Sequence, residues 1–327
     1  MHAPLLESVP NVSVGREPHK VGELVAAIEA GMRAGAALDG SAAVLADVHV
    51  DADHDRTVFT LVGRGEALAA ALEELARASV AAIDLHAGHG VHPRVGVLDI
   101  VPIIALEEGD AARDAAHALV ERIAAFIGGG LEVPVVAYGL RRDGEPIEGA
   151  AFSGAARRGG PATVVERVAS GELELLAGPR ALHHTAGATI MGVRGVLVAF
   201  NVDLATERLD TVRAIAAAIR ASAKTNDALP GVRALGFLLA SRDIAQVSTN
   251  IERPTYVGPA KVLDTVVRLA REHDVEVVGA ELVGLAPATT LAPLRYACTR
   301  LGVPLNAAPA ASLEAAMAAV VSGAVEG

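Results

Sequence analysis

Residues 195–204 read GVLVAFNVDL, an apolar run long enough for one buried strand and too short for anything else. Outward from it, the spacing predicts a helix over 205–221, strands over 232–240 and 244–251, a helix over 259–273, and a closing strand in VEVVGAELVG, 275–284. The order is β-α-β-β-α-β. Toward the N-terminus the same order recurs. Val21, Leu24, Val25, Ile28 and Met32 mark a helix over 18–34, followed by strands at 42–50 and in RTVFTLVG, 56–63. A helix over 65–83, the strand VLDIVPII, a helix over 110–127, the strand VPVVAYG and a helical extension over 161–169 complete that half. Two copies of a split βαβ unit predict an α+β protein of two ferredoxin-like (βαββαβ) subdomains, 1–193 and 194–327. Each is expected to be an antiparallel sheet with helices on one face, the two sheets facing each other across a ligand tunnel. Residues 171–195 would connect the halves.

The 327 residues carry 28 Lys and Arg against 39 Asp and Glu, a net charge of −11, which argues against a surface built to neutralise nucleic-acid phosphates. Aromatic residues make up 2% and Trp is absent, so base-stacking platforms are poorly supplied. The single cysteine, Cys298, excludes a disulfide framework and a Cys-rich zinc site. The N-terminal stretch has no basic segment leading into an apolar core, and no apolar run reaches the roughly 18 residues of a membrane helix. A cytoplasmic protein that avoids membranes is expected. Gly63-Arg64-Gly65 lacks the third glycine of a phosphate cradle, and no Gly-Lys-Ser/Thr follows any glycine run.

The most informative stretch is His86-Ala-Gly-His89-Gly-Val-His92-Pro93-Arg94, where three histidines are spaced three apart on a backbone that Gly88 and Gly90 keep from being helical. Three readings stand open: a metal site, a surface loop without a role, and acid–base chemistry by one imidazole. His92 is the best acid–base candidate, because Pro93 holds its backbone extended and Arg94 adds a fixed charge able to orient a carboxylate. Little perturbed, it would give a rising pH–rate limb at roughly 6 to 7. In Asp47-Val-His49-Val-Asp51-Ala-Asp53-His54-Asp55-Arg56, strand alternation would project Asp47, His49 and Asp51 on one face, either to bind a cation or amine or as a solvated loop. The polar groups of 245–250 and of 279–284, within apolar strands, are either binding donors or internally bonded.

Together these stretches resemble the formiminotransferase domain family. The likeness rests on ESVPNVSVG, DADHDRTVFTLVG, HGVHPRVGVLDIVPIIAL, AGPRALHHTAGATIMGVRGVLVAFNVDL, RALGFLLASRDIAQVSTNI and VVGAELVGLAPATTL, in the family's order. It implies reversible transfer of a formimidoyl group between N-formimidoyl-L-glutamate and N5 of tetrahydrofolate, the folate serving as co-substrate without a metal. The histidine of the HPR motif, here His92, would be the general acid/base, supported by Arg94, Asp47, His49 and Asp55. The folate-binding segment would be Gly178, Pro179, Arg180, Ala181, Leu182, His183, His184, Thr185, Ala186 and Gly187. Arg56, Arg94 and Arg180 are candidates for glutamate or folate carboxylates by guanidinium geometry, and Asn250 joins the binding set. The chain departs from the family pattern at Asp55, usually asparagine, at His49, and at Leu176-Ala177 before Gly178. Formyl transfer, a different amine, or a non-catalytic folate-binding homologue are the alternatives. A homodimer is expected, with a separate cyclodeaminase processing the product.

Overall fold

The computed structural model describes residues 3–88, 90–224, 229–308 and 311–323. It is mixed α and β, with two sheets in two compact units: residues up to Gly195 with the chain end from Met317 on, and Val196–Ala316. In the first unit the leading strand is broken into β1 (Leu6–Ser8) and β2 (Asn11–Val12), since Pro10 cannot donate to a ladder. Then come α1 (Pro18–Asp39), β3 (Ala43–Asp51), β4 (Arg56–Gly63), α2 (Gly65–Ala82), β5 (Leu98–Ala105), α3 (Asp110–Ala125) and β6 (Val135–Ala137). After these lie α4 (Ser153–Ala156), α5 (Gly160–Ala169), β7 (Leu175–Ala177) and β8 (Thr189–Val193). Helix α1 outruns its expected end because the alanine-rich stretch after Met32 continues it until Gly40, whose φ of 70° provides a left-handed cap.

Across the first sheet the order is β3, β4, the β1/β2 line, β5, β8, β6, β7. The expectation of an antiparallel sheet is corrected here, because β8 runs parallel to both β5 and β6. Residues 171–195 are likewise no connector: they supply β7 and β8, and β8 fills the slot between β5 and β6. The main core, with Leu24, Ile28, Leu68, Leu72, Phe59 and Ile103, joins α1, α2 and α3 to one sheet face. The opposite face is also covered behind β5, β6 and β8, where Ile100, Val136 and Ile190 pack with Val164 and Val168 of α5. Helices therefore occupy both faces at that end.

Helices α1 and α2 approach closely through two glycines. A Cβ on Gly31 would stand 2.5 Å from the Ala70 carbonyl oxygen, and one on Gly35 would stand 2.1 Å from that of Glu66. Alanine is the better helix former by about 1 kcal/mol, yet the overlap is with backbone and costs about 1–3 kcal/mol. Gly35→Ala is thus expected to lower the urea midpoint of the first unit; a raised midpoint would show that the helices can part.

The second unit contains β9 (Val198–Leu204), α6 (Leu209–Lys224), β10 (Val232–Leu239), β11 (Ile244–Ile251), α7 (Pro259–Glu272), β12 (Val277–Val283), α8 (Ala288–Leu301) and β13 (Leu305–Asn306). Helix α9 (Leu313–Ser322) ends the described chain. The sheet order is β10, β11, β9, β12, β13, with the first four strands antiparallel, the same order as β3, β4, β1/β2 and β5 in the first unit. Strand β13 adds a parallel edge to β12. Phe200, Val202, Ile215, Val262 and Val266 lie in its core. No helix among the described residues is long and apolar enough to cross a membrane.

Candidate active site

The loop of residues 84–97, between α2 and β5, is held at several points along its length. Asp84 accepts from the His86 backbone at 2.9 Å and starts a single tight turn. Leu85 N–H donates to the Thr185 carbonyl at 2.8 Å, and Val91 N–H to that of Asp53 at 3.2 Å. Gly90 lies so close to the β3–β4 turn that a Cβ there would meet the His54 carbonyl oxygen at 1.9 Å. At the far end Val97 N–H donates to Ala186 and Ala188 N–H to Val95, at 2.9 and 3.0 Å, while Ser13 Oγ donates to the Gly96 carbonyl at 2.7 Å.

His92 is half-buried at the centre of this loop. Its Nδ1 lies 2.8 Å from the Pro93 carbonyl oxygen, and its Nε2 lies 2.8 Å from Nη1 of Arg56. A carbonyl can only accept and a guanidinium only donate, so the ring is neutral with its proton on Nδ1 and its lone pair on Nε2. Burial, then the charges of Arg56, Arg157 and His54, hold its pKa well below the usual imidazole value, against the Pro93 carbonyl. The condition for a limb at pH 6 to 7, a little-perturbed imidazole, is therefore not met in the free protein. Arg56 is itself lowered to about 10, chiefly by burial and by Arg157, with Asp99 and Asp51 opposing.

The other predicted residues take distinct places. Asp55, at φ 46°, accepts from the backbone N–H groups of Gly15 and Arg16 at 3.0 and 3.3 Å, and its other oxygen is 3.7 Å from Arg94 Nη1. The carboxylate that Arg94 orients is thus one of the protein's own. Asp47, His49 and Asp51 do share a face of β3, opposite Thr60, Val58 and Arg56 of β4, while Val48 and Phe59 turn toward the helices. The row therefore lies on the sheet face that carries Arg56. On that same face, farther along, Glu7 of β1 is buried and its carboxyl is pushed up to about 7 by desolvation, with Arg194 opposing.

Within 178–187 the two ends behave differently. Residues 183–187 form a tight turn: His183 and Gly187 exchange two backbone hydrogen bonds at 3.0 Å, and His183 Nδ1 accepts from Ala186 N–H at 3.0 Å and Thr185 N–H at 3.3 Å. His86 Nε2 donates to the His184 carbonyl at 2.8 Å, which ties the turn to the His92 loop. Leu182 packs at the margin of the smaller core, and Gly178, at φ 89°, follows β7. Pro179, Arg180 and Ala181 are exposed, and Arg180 makes no hydrogen bond or ion pair among the described residues. The metal reading needed lone pairs from His86, His89 and His92. His86 Nε2 is a donor to a carbonyl, both His92 nitrogens are engaged, and His89 lies outside the described residues.

Asn250 is in the second unit, half-buried on β11 opposite Arg233 and Ala199. Of the polar groups in the strands around it, several bond internally: Gln246 donates to Asp203 at 2.9 Å, Thr249 to the Phe200 carbonyl at 2.5 Å, and Asn201 to Glu281 at 3.0 Å.

Two residues with strong claims on this site escaped the sequence reading. Asp99 is the extra residue of a bulge in β5, where the β2 partner advances one residue while β5 advances two. Its Oδ1 accepts from Val95 N–H at 2.7 Å, and its Oδ2 is bound by Nε and Nη2 of Arg157 at 2.7 and 2.6 Å, both side chains being buried. A carboxylate two-pronged by a guanidinium thus anchors the backbone just past His92. Asn11, His54, Arg56, His92, Arg94 and Asp99 line a cavity of about 10 Å³, room for about one water. Asn11 Oδ1, Arg56 Nε and Arg94 Nη1 are buried with no hydrogen-bond partner among the described residues.

The profile of the formiminotransferase domain's N-terminal subdomain matches residues 5–194, and that of the formiminotransferase domain matches 199–298. The chain is 31% identical to the glutamate formimidoyltransferase of Streptococcus pyogenes serotype M1 over 88% of its own length and 91% of the relative's. The like-named protein of Thermoplasma acidophilum is 29% identical over 88% and 89%. The formimidoyltransferase-cyclodeaminase of Sus scrofa is 35% identical over 88% of this chain but 51% of its own length, so the chain spans about half of that relative. The chain belongs to the formiminotransferase domain family.

Proposed function

We propose that the protein is a transferase that moves a formimidoyl group between N-formimidoyl-L-glutamate and N5 of tetrahydrofolate, with His92 relaying the proton. The observation that carries this reading is the neutral His92 ring, whose Nε2 lone pair is held against a guanidinium rather than a proton. Attack of folate N5 on the amidine carbon forms the new C–N bond and a tetrahedral intermediate. Nε2 accepts the proton that N5 sheds, then returns it to the glutamate nitrogen as the old C–N bond breaks, leaving the imidazole unchanged. No net proton is consumed. Arg56 and the Asp47, His49, Asp51 row would meet the carboxylates and the cationic amidine of the donor, respectively. The strand order shared by the two units supports the ferredoxin-like reading of each.

Mixing the protein with N-formimidoyl-L-glutamate and tetrahydrofolate is expected to yield 5-formimidoyl-tetrahydrofolate, followed by absorbance. Turnover of the N-formyl donor alone would reassign the group transferred, and no turnover of either by folded protein would end the reading.

A further inference from the structure

We propose that Arg56 is a positioning residue that caps the Nε2 lone pair of His92 in the free protein and gives it up when the carboxylate of a glutamate-type substrate takes the guanidinium. The proposal rests on the reading of the site as one that handles such a substrate. Its geometry is that of a latch. One guanidinium nitrogen, Nη1, donates to the Nε2 lone pair at 2.8 Å. Arg56 Nε is buried without a hydrogen-bond partner, and among the described residues Arg56 has no ion pair within 4 Å. The neighbouring arginines differ on this point: Arg157 is held two-pronged by Asp99, and Arg94 lies 3.7 Å from Asp55. The cation at the imidazole is therefore the one with no carboxylate in ion-pair contact among the described residues, Asp99 and Asp51 acting on it only from farther away. Buried charge without a counter-ion is costly, so an incoming carboxylate has a stronger claim on the guanidinium than a neutral ring nitrogen does.

Nε2 cannot take a proton while an N–H points into its lone pair. Donor binding would thus expose the base in the same step that delivers the group to be transferred, and an empty site would be unable to pass protons to water. The charged and titratable groups around the ring are Arg56 on β4, His54 and Asp55 in the β3–β4 turn, and Asp51 at the end of β3. Arg94 on the same loop, Arg157 after α4 and Asp99 on β5 complete the set. Two of the cations are already matched, so neutralising Arg56 is the change that a ligand can make.

The test follows the ring nitrogens of His92 by NMR in the full chain labelled with 15N-histidine, without folate. N-acetyl-L-glutamate is the probe and its uncharged diamide the control. In the free protein His92 is expected to stay in the Nδ1–H form to well below pH 6.5. Saturation with the probe should raise its pKa by about one unit or more, a tenfold gain in proton affinity, while the diamide does nothing. In Arg56→Met the higher pKa should appear without the probe, and probe binding should weaken at least tenfold. If that variant does not fold, Arg56→Lys should bind the probe more weakly and show a smaller shift. Absence of probe binding to the wild type, or binding that leaves His92 unmoved, would overturn the latch, as would an Arg56→Met protein whose His92 titrates as before. Failure of the transfer reading is read separately: no product forms from the two substrates, although the probe still moves His92.

Discussion

Replacement of His92 by alanine is expected to cut kcat by a factor of about 10² to 10⁴, the range that a positioned proton relay supplies. The ring sits on a loop fixed at both ends by backbone hydrogen bonds to 185–188, so removing it leaves its surroundings in place. The pH profile carries the sharper signature. Burial and three neighbouring cationic or ionisable side chains depress the pKa of His92 in the free protein, so the base is ready above that low value. The profile of kcat/KM, which reports the free protein, should be flat from about pH 6.5 upward and fall only well below it. A kcat/KM limb centred between 6 and 7 would mean that the imidazole is not under the influence of Arg56 and Arg157. So would a His92→Ala protein that keeps the wild-type limb.

The second large effect is on stability. Asp99→Ala is expected to destabilise the first unit by about 3–5 kcal/mol, read as a lower midpoint in urea with fluorescence or circular dichroism. The deletion leaves the buried Arg157 guanidinium without its carboxylate and Val95 N–H without its acceptor. Asp99→Asn keeps an oxygen for Val95 but not the charge, so it should fall between the alanine variant and wild type. Stability within about 1 kcal/mol of wild type for Asp99→Ala would show that water replaces both contacts.

Local pattern made much of this legible. The ends of β4 follow the run RTVFTLVG, and the shared face of Asp47, His49 and Asp51 follows from alternation because the irregularity in β3 falls before them, between Leu45 and Asp47. Strands β1 and β2 are three and two residues long with Pro10 between, too short to show a period. Strand β8 was hidden in a glycine-rich stretch that resembles a connector. The contacts that make the site are not local. Arg56 and His92 are 36 residues apart, and Asp99 and Arg157 are 58 apart. His92 announced itself through Pro93 and the glycines beside it, whereas Asp99 sits in an apolar strand and gave no signal beyond its charge. Its bulge depends on the register against β2, which no single stretch of sequence contains.

The insertion of β8 between β5 and β6 constrains how the chain can be assembled as it leaves the ribosome. Strands β5 and β6 emerge first, and they must remain apart until residues 189–193 arrive to separate them. The same late segment delivers Ala186 and Ala188 to the backbone around Val95 and Val97. The nascent protein therefore acquires its His92 loop only after residues 186–193 have been synthesised, and premature pairing of the two earlier strands would leave a folded sheet with no way to build that loop.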